Sequence, residues 1–179
     1  MAHPGHPDFS RRQLLAGAAC ASVTSWLPLS RVLADRLDQP VMKFGMVTYL
    51  WGRDLPLPVL LETCAKSKIG GVELRTTHAH GVEPRLTPTQ RQRIRDDFER
   101  SGVELVGLGS DERFDSPEPS RFRSAIEATR AFLELSHDLG GGGVKVKPDR
   151  FHEGVPRERT IQQIATGLCE VGRTAEQLG

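Results

Sequence analysis

Gly70-Gly71-Val72-Glu73-Leu74-Arg75-Thr76-Thr77-His78-Ala79-His80-Gly81 is the stretch whose reading decides the fold. Its first half alternates as a strand does, with Val72 and Leu74 on one face and Glu73 and Arg75 on the other. Its second half is a polar loop with two histidines, after which a helix begins. A strand with charges on one face and histidines at its C-terminal end suits a parallel barrel. There the outward face is apolar to meet helices, and the inward face opens near the top into a site.

Working outward, the same rhythm recurs. Phe44 to Leu50 reads as a first strand, followed by a helix from Pro58 to Lys66 with Leu57, Leu60, Leu61, Cys64 and Ala65 on its apolar stripe. Thr87-Pro88-Thr89-Gln90 opens a second helix, with a cap, a proline in the first turn and Gln at capping-box spacing. Ile94 and Phe98 form its buried side, and Ser101-Gly102 ends it. Val103 to Gly109 is a third, nearly continuous apolar strand of the buried parallel kind. A third helix spans Glu118 to Leu139, with Phe122, Ile126, Thr129 and Leu133 along one side. After the break Gly140 to Gly143 comes a fourth strand, Val144 to Lys147. Pro156 then starts a fourth helix with Ile161, Ile164, Ala165, Leu168, Ala175 and Leu178 at helical spacing.

Four β-then-α units with short links imply a parallel sheet with right-handed crossovers. A doubly wound sheet would bury Glu73, Arg75, Lys145 and Lys147 against apolar helices, which is costly. It would also be served by a glycine-rich phosphate loop after the first strand, and Gly107-Leu108-Gly109 lacks both the third glycine and an immediate helix. In a barrel, strands two and four share interior layers, so these opposite charges become neighbours in the mouth. The fold class read from the sequence is therefore α/β of the TIM-barrel type, comprising the first four βα units, a half barrel.

Residues 1–34 read as a twin-arginine signal peptide and 35–41 as a linker, leaving 42–179 as the barrel segment. Ser10-Arg11-Arg12-Gln13-Leu14-Leu15 carries the arginine pair. Gly17, Ser22, Thr24, Ser25 and Pro28 dilute the following apolar run, which argues against a permanent membrane span. The expected location is periplasmic or otherwise extracytoplasmic. The formal net charge of +1, with acidic and basic residues interspersed, gives no electrostatic case for a nucleic-acid partner. No serine, cysteine or aspartate arrangement reads as a nucleophilic triad. Cys64 and Cys169, on the apolar stripes of the first and fourth helices with two βα units between them, are expected to remain unbridged.

At these residues the sequence resembles the xylose isomerase-like TIM barrels, the sugar phosphate isomerase/epimerase family. The resemblance rests on Lys43-Phe44-Gly45-Met46-Val47-Thr48-Tyr49 and Gly71-Val72-Glu73-Leu74-Arg75 with His78 and His80. Val103-Glu104-Leu105-Val106-Gly107-Leu108 and Gly143-Val144-Lys145-Val146-Lys147-Pro148 continue it in order. It covers about residues 42–179, the N-terminal half of an eight-unit barrel. It implies a sugar or sugar-phosphate isomerase or epimerase, using a divalent metal (Mn, Mg or Zn) and glutamates that move a proton beside a sugar carbonyl. The family's principal ligands and catalytic glutamates lie on its later strands. The catalytic residues are therefore expected beyond Gly179, and this chain alone is expected to be inactive. A non-catalytic exported sugar-binding barrel and an endonuclease of the same superfamily are the alternatives.

The nominated positions have supporting roles. His78 and His80 stand as metal or substrate contacts, or as solvated loop residues. Glu73 and Arg75 either line the substrate site or form a mutual ion pair. Lys145 and Lys147 either bind an anionic sugar substituent or bridge to Glu73 or Glu104. Tyr49 and Trp51 either stack on a sugar ring or cover a core edge. The expected partner is a small carbohydrate, and the open edges of a half barrel invite self-association.

Overall fold

A computed structural model describes residues 42–179. The signal-peptide and linker readings lie outside the described residues. Four strands alternate with four helices: β1 (Gly45–Val47), α1 (Leu57–Lys66), β2 (Gly71–Arg75), α2 (Pro88–Ser101), β3 (Glu104–Gly109), α3 (Pro119–Leu139), β4 (Val144–Lys145) and α4 (Arg157–Leu178). The strands form one parallel sheet in the order β1-β2-β3-β4. This is a parallel half barrel, as the sequence indicates.

The helices cover one face of the sheet. Val72, Leu74, Leu105 and Leu108 point into a core with Leu60, Leu61, Cys64, Phe98, Leu135 and Leu139, all buried. The opposite face carries Glu73 and Arg75, and there Val47 and Val106 remain 41% and 50% exposed. A register shift between Val72 and Glu73 passes over Val106, so Val72 faces Leu105 while Glu73 faces Gly107.

Local sequence accounts for the helix ends. Thr87 caps α2 in a full capping box with Gln90, with Pro88 in the first turn. Gly102 and Gly140 end α2 and α3 in the left-handed conformation, where an L side chain is strained.

Three expectations need adjustment. β1 ends at Val47 because Thr48 to Asp54 turn away, although Thr48 N–H still donates to Glu73 O. β4 stops at Lys145, and Lys147 N–H donates to Glu112 O in the preceding loop. The apolar stripe expected on α4 is only partly the face it buries: Ile164 packs against the core and Ala175 and Leu178 are half-buried. Thr160, Gly167 and Val171 are buried, whereas Ile161 and Leu168 are 56% and 43% exposed. The cause is steric: a Cβ at Gly167 would lie 2.8 Å from Phe114 Cδ2 and 3.0 Å from Phe122 Cε2, so the two aromatics dock on the glycine. Among the described residues, no helix is long and apolar enough to cross a membrane.

Candidate functional site

The uncovered face gathers its charges at the C-terminal ends of the strands. Glu73 of β2 pairs with Lys145 of β4. Arg75, one pleat further up, donates from Nη2 to Asp111 Oδ1 at 2.6 Å, and Lys147 Nζ donates to the same oxygen at 2.6 Å. The Glu73–Arg75 pair weighed from the sequence is thus replaced by two pairs that cross strands. They fit because Gly109 leaves room on β3. A Cβ there would sit 2.7 Å from Arg75 Cδ and 2.8 Å from Glu73 Oε1.

Asp111 draws its electrostatics from these cations. The Lys147 hydrogen bond holds its carboxyl below the usual range against partial burial, with Lys147, Arg75 and Arg113 adding long-range attraction. Its neighbour Glu112 is pushed up, first by burial and then by the Asp111 charge. Arg75 itself is buried, its Nε has no hydrogen-bond partner, and its guanidinium lies 5.4 Å from the centre of the Tyr49 ring. Tyr49 and Trp51 are 59% and 89% exposed, so neither covers a core edge.

The two histidines take different positions. Val82 N–H donates to His80 Nδ1 at 3.0 Å, so Nε2 carries the proton and donates to Arg75 O at 2.8 Å. His80 therefore joins the end of β2 to the start of the following turn and offers a metal no lone pair in this geometry. Burial lowers its pKa, against the opposing pull of the Arg75 carbonyl, and keeps it neutral. His78 is half-buried, and its Nδ1 lies 3.1 Å from Thr48 Oγ1. That hydroxyl accepts Arg75 N–H at 2.9 Å and shares a second hydrogen bond with His78 Nδ1. This leaves His78 Nε2 as the outward nitrogen. Burial first, then Arg53 and Arg75, holds this imidazole below its ordinary value, with Asp54 and Asp111 opposing.

The loop itself is pinned. Glu83 accepts Thr77 N–H at 2.6 Å and the Thr76 hydroxyl at 2.9 Å, and Ala79 N–H donates to Arg53 O at 2.9 Å. Thr77 has φ 62°, a left-handed conformation that these bonds hold. Thr48, Glu83 and Asp111 were not singled out from the sequence. The one available signal was Asp111, an acidic residue directly after a strand on the face where barrel sites form. Beside the mouth, a cavity of about 500 Å³ lies between the loops after β3 and β4, with Asp111, Glu112, Arg113, Asp115, Arg150 and His152 among its lining.

The family model for xylose isomerase-like TIM barrels matches residues 61–179. The chain belongs to that family. Among solved structures, this xylose isomerase-like half barrel is similar to D-psicose 3-epimerase from Clostridium cellulolyticum H10, crystallised with D-tagatose. The TM-score is 0.64 and the identity 17%, over 77% of this chain and 50% of that one. It is similar to the 3-keto-D-glucoside 4-epimerase YcjR from E. coli, with a TM-score of 0.60 and 12% identity, covering 77% and 53% of the two chains. It also resembles the IOLI protein with a bound zinc atom, with a TM-score of 0.65 and 18% identity, covering 77% and 49%. The chain thus spans about half the length of these structures. No curated protein sequence matches it.

Among the described residues of this xylose isomerase-like chain, no three His, Cys, Asp or Glu side chains converge as a metal would need. By themselves they do not fit a resident divalent ion.

Proposed function

We propose that the chain supplies the sugar-binding wall of an isomerase- or epimerase-like site, at which a proton moves next to a sugar carbonyl. One observation carries this reading. On the uncovered face, acceptors Glu73 and Asp111 are interleaved with donors Arg75, Lys145 and Lys147, below the ring of Tyr49 and beside His78. A ketose presents hydroxyls that both donate and accept, and such a lattice of fixed charged partners suits it. Two neighbours of the same fold, a D-psicose 3-epimerase and a 3-keto-D-glucoside 4-epimerase, lend support.

In this reading Arg75 and Lys147 position oxygens of the substrate and would accept a phosphate or carboxylate substituent as readily as a hydroxyl. Glu73 and Asp111 hold the two cations in place and take hydroxyl protons as hydrogen-bond acceptors. Tyr49 and Trp51 offer exposed rings for an apolar sugar face. The zinc in one neighbour supports metal use within the fold, but no step is derived through a metal, because the donor set among the described residues does not hold one. The alternative is a non-catalytic sugar-binding barrel, which the same wall of polar side chains would serve equally. The near-neutral charge speaks against the endonuclease.

Calorimetric titration of the full chain with ketohexoses and their phosphates tests the binding reading. Saturable binding weakened at least tenfold by Asp111→Asn is expected, and no binding of any ketose or ketose phosphate would overturn it. An epimerisation assay on the same sugars separates enzyme from binder.

A further inference from the structure

We propose that the cavity between the loops after β3 and β4 binds a small phosphate ester, at a site of its own that does not rest on the sugar reading. Its walls come from the loop after β3, the first two turns of α3 and the loop after β4. It reaches the helix side of these loops, because Ala125 of α3 is part of its lining and also belongs to the small core of Phe114, Ile126 and Val171. Of the charged groups on the sugar wall, only Asp111 borders it.

The two loops are tied together around this space. Buried Asp115 accepts Arg150 N–H at 3.1 Å and lies 3.3 Å from His152 Nε2. Arg113 Nε donates to Asp149 Oδ2 at 2.7 Å, and Lys147 N–H donates to Glu112 O at 2.9 Å. From α4, Gln163 Nε2 donates to Phe114 O at 2.7 Å and to Ser116 O at 2.8 Å. A ligand therefore meets walls that are already in place, which lowers the ordering cost of binding it. At about 500 Å³ the cavity has room for a small organic molecule, not just a lone ion.

Its chemistry points to an anion. Three guanidinium groups line it, one from each segment: Arg113, Arg121 and Arg150. Arg113 and Arg121 each turn Nε to a carboxylate, Asp149 and Glu118, and among the described residues their Nη groups make no hydrogen bond. The Arg150 guanidinium comes no nearer than 3.9 Å to Asp149. Planar cations with free N–H groups match the oxygens of a phosphate. Ser124 adds a hydroxyl and Ala125 an apolar surface for the organic part of the ester.

Three carboxyls share the lining. Asp111 is turned to Arg75 and Lys147, and Asp115 to the loop after β4, so both are already partnered. Glu112 has no ion pair among the described residues, and burial followed by the Asp111 charge pushes its carboxyl up. Its charge is the one that an incoming anion meets uncompensated. Removing it should help binding, where removing an arginine should hurt.

Calorimetric titration of the full chain with glycerol phosphate, inorganic phosphate and glycerol tests this. Glycerol phosphate should bind stoichiometrically and more tightly than inorganic phosphate, and glycerol should not bind. Arg113→Ala and Arg150→Ala should each weaken glycerol phosphate about tenfold, and Glu112→Gln should tighten it about threefold. Lys145→Ala, on the sugar wall, should leave its affinity unchanged. The Arg150 side chain makes no hydrogen bond among the described residues, so Arg150→Ala should melt with wild type and decides the matter if Arg113→Ala fails to fold. The proposal is overturned if glycerol phosphate shows no saturable binding, or if inorganic phosphate binds as tightly. It is equally overturned if Arg150→Ala leaves the affinity unchanged, if Glu112→Gln weakens it, or if Lys145→Ala abolishes it, which would place the phosphate on the sugar wall. Absence of ketose binding at that wall would not alter any of these outcomes.

Discussion

Asp111 Oδ1, in the loop after β3, receives Arg75 Nη2 of β2 at 2.6 Å, and the Arg75 side chain is only 10% exposed while that of Asp111 is 51% exposed. A nearly buried guanidinium thus depends on a half-exposed carboxylate that also holds Lys147. Removing the carboxylate leaves Arg75 buried with its cation under-compensated. Asp111→Asn should therefore destabilise the chain by about 1–2 kcal/mol, the exposed side of the pair moderating the loss. Urea denaturation measures it. The acid limb gives a second readout. Because the folded carboxyl lies below its ordinary value, its contribution is present above the unfolded pKa of about 3.9 and is lost as pH falls through the folded value. The variant should lose that part of the acid dependence.

The two histidines should separate cleanly by mutation. His80→Ala strands Arg75 O and Val82 N–H in a buried turn and should cost about 2–3 kcal/mol. His78→Ala removes one bond at a half-buried position and should cost under about 1 kcal/mol. Both imidazoles sit below their ordinary pKa, so the folded state binds fewer protons than the unfolded one just below about pH 6.5. Stability should fall as pH drops through that window toward the folded values, more for wild type than for His80→Ala. Nitrogen-detected NMR should show His80 protonated at Nε2 alone at neutral pH. A proton at Nδ1 would contradict the loop geometry.

The fold was largely legible because period and punctuation agree. Val72/Leu74 against Glu73/Arg75 marks a strand with two unlike faces, and Thr87-Pro88-Thr89-Gln90 marks a helix start that the capping box realises. The pairing of the charges was not legible. It depends on a register shift at Val106 and on the space left by Gly109, neither of which has a local pattern. The docked face of α4 was only partly legible, through Ile164, for a related reason. Hydrophobic spacing favours Ile161 and Leu168, but two aromatics from other segments select Gly167. His78-x-His80 carried no sign of which ring the backbone would claim, since that is decided by the turn after β2.

The cysteines give an independent check on topology. Cys64 and Cys169 are both free, the first buried and the second exposed. Cys169 thus lies off the buried face, contrary to its place on the expected apolar stripe. In a Cys20→Ser background, native protein should react quickly at one thiol, Cys169. Cys64 should react only on unfolding, since burial both shields it and raises its pKa. Two fast thiols, or none, would count against the packing of α1 on the sheet.

Export is open to a direct test. Ser10-Arg11-Arg12-Gln13-Leu14-Leu15 motivates the twin-arginine route. A reporter fused after the first 41 residues should reach the periplasm, and Arg11→Lys with Arg12→Lys should block it. Unchanged export of that variant would remove the assignment.

The last prediction concerns metal. His80 has committed both nitrogens, Glu73 is held by Lys145, and Asp111 by Arg75 and Lys147, so the donors nearest His78 are already engaged. A cation arriving at His78 finds one ring nitrogen held by the Thr48 hydroxyl, and it meets Arg53 and Arg75 nearby. Both effects oppose binding. Calorimetric titration of the full chain with manganese or zinc should therefore show no stoichiometric site at micromolar concentration, and His78→Ala should change the weak residual signal only slightly. Tight one-to-one binding abolished by His78→Ala would mean that this loop rearranges on metal entry and that the first four strands carry more of the chemistry than their ion pairs suggest.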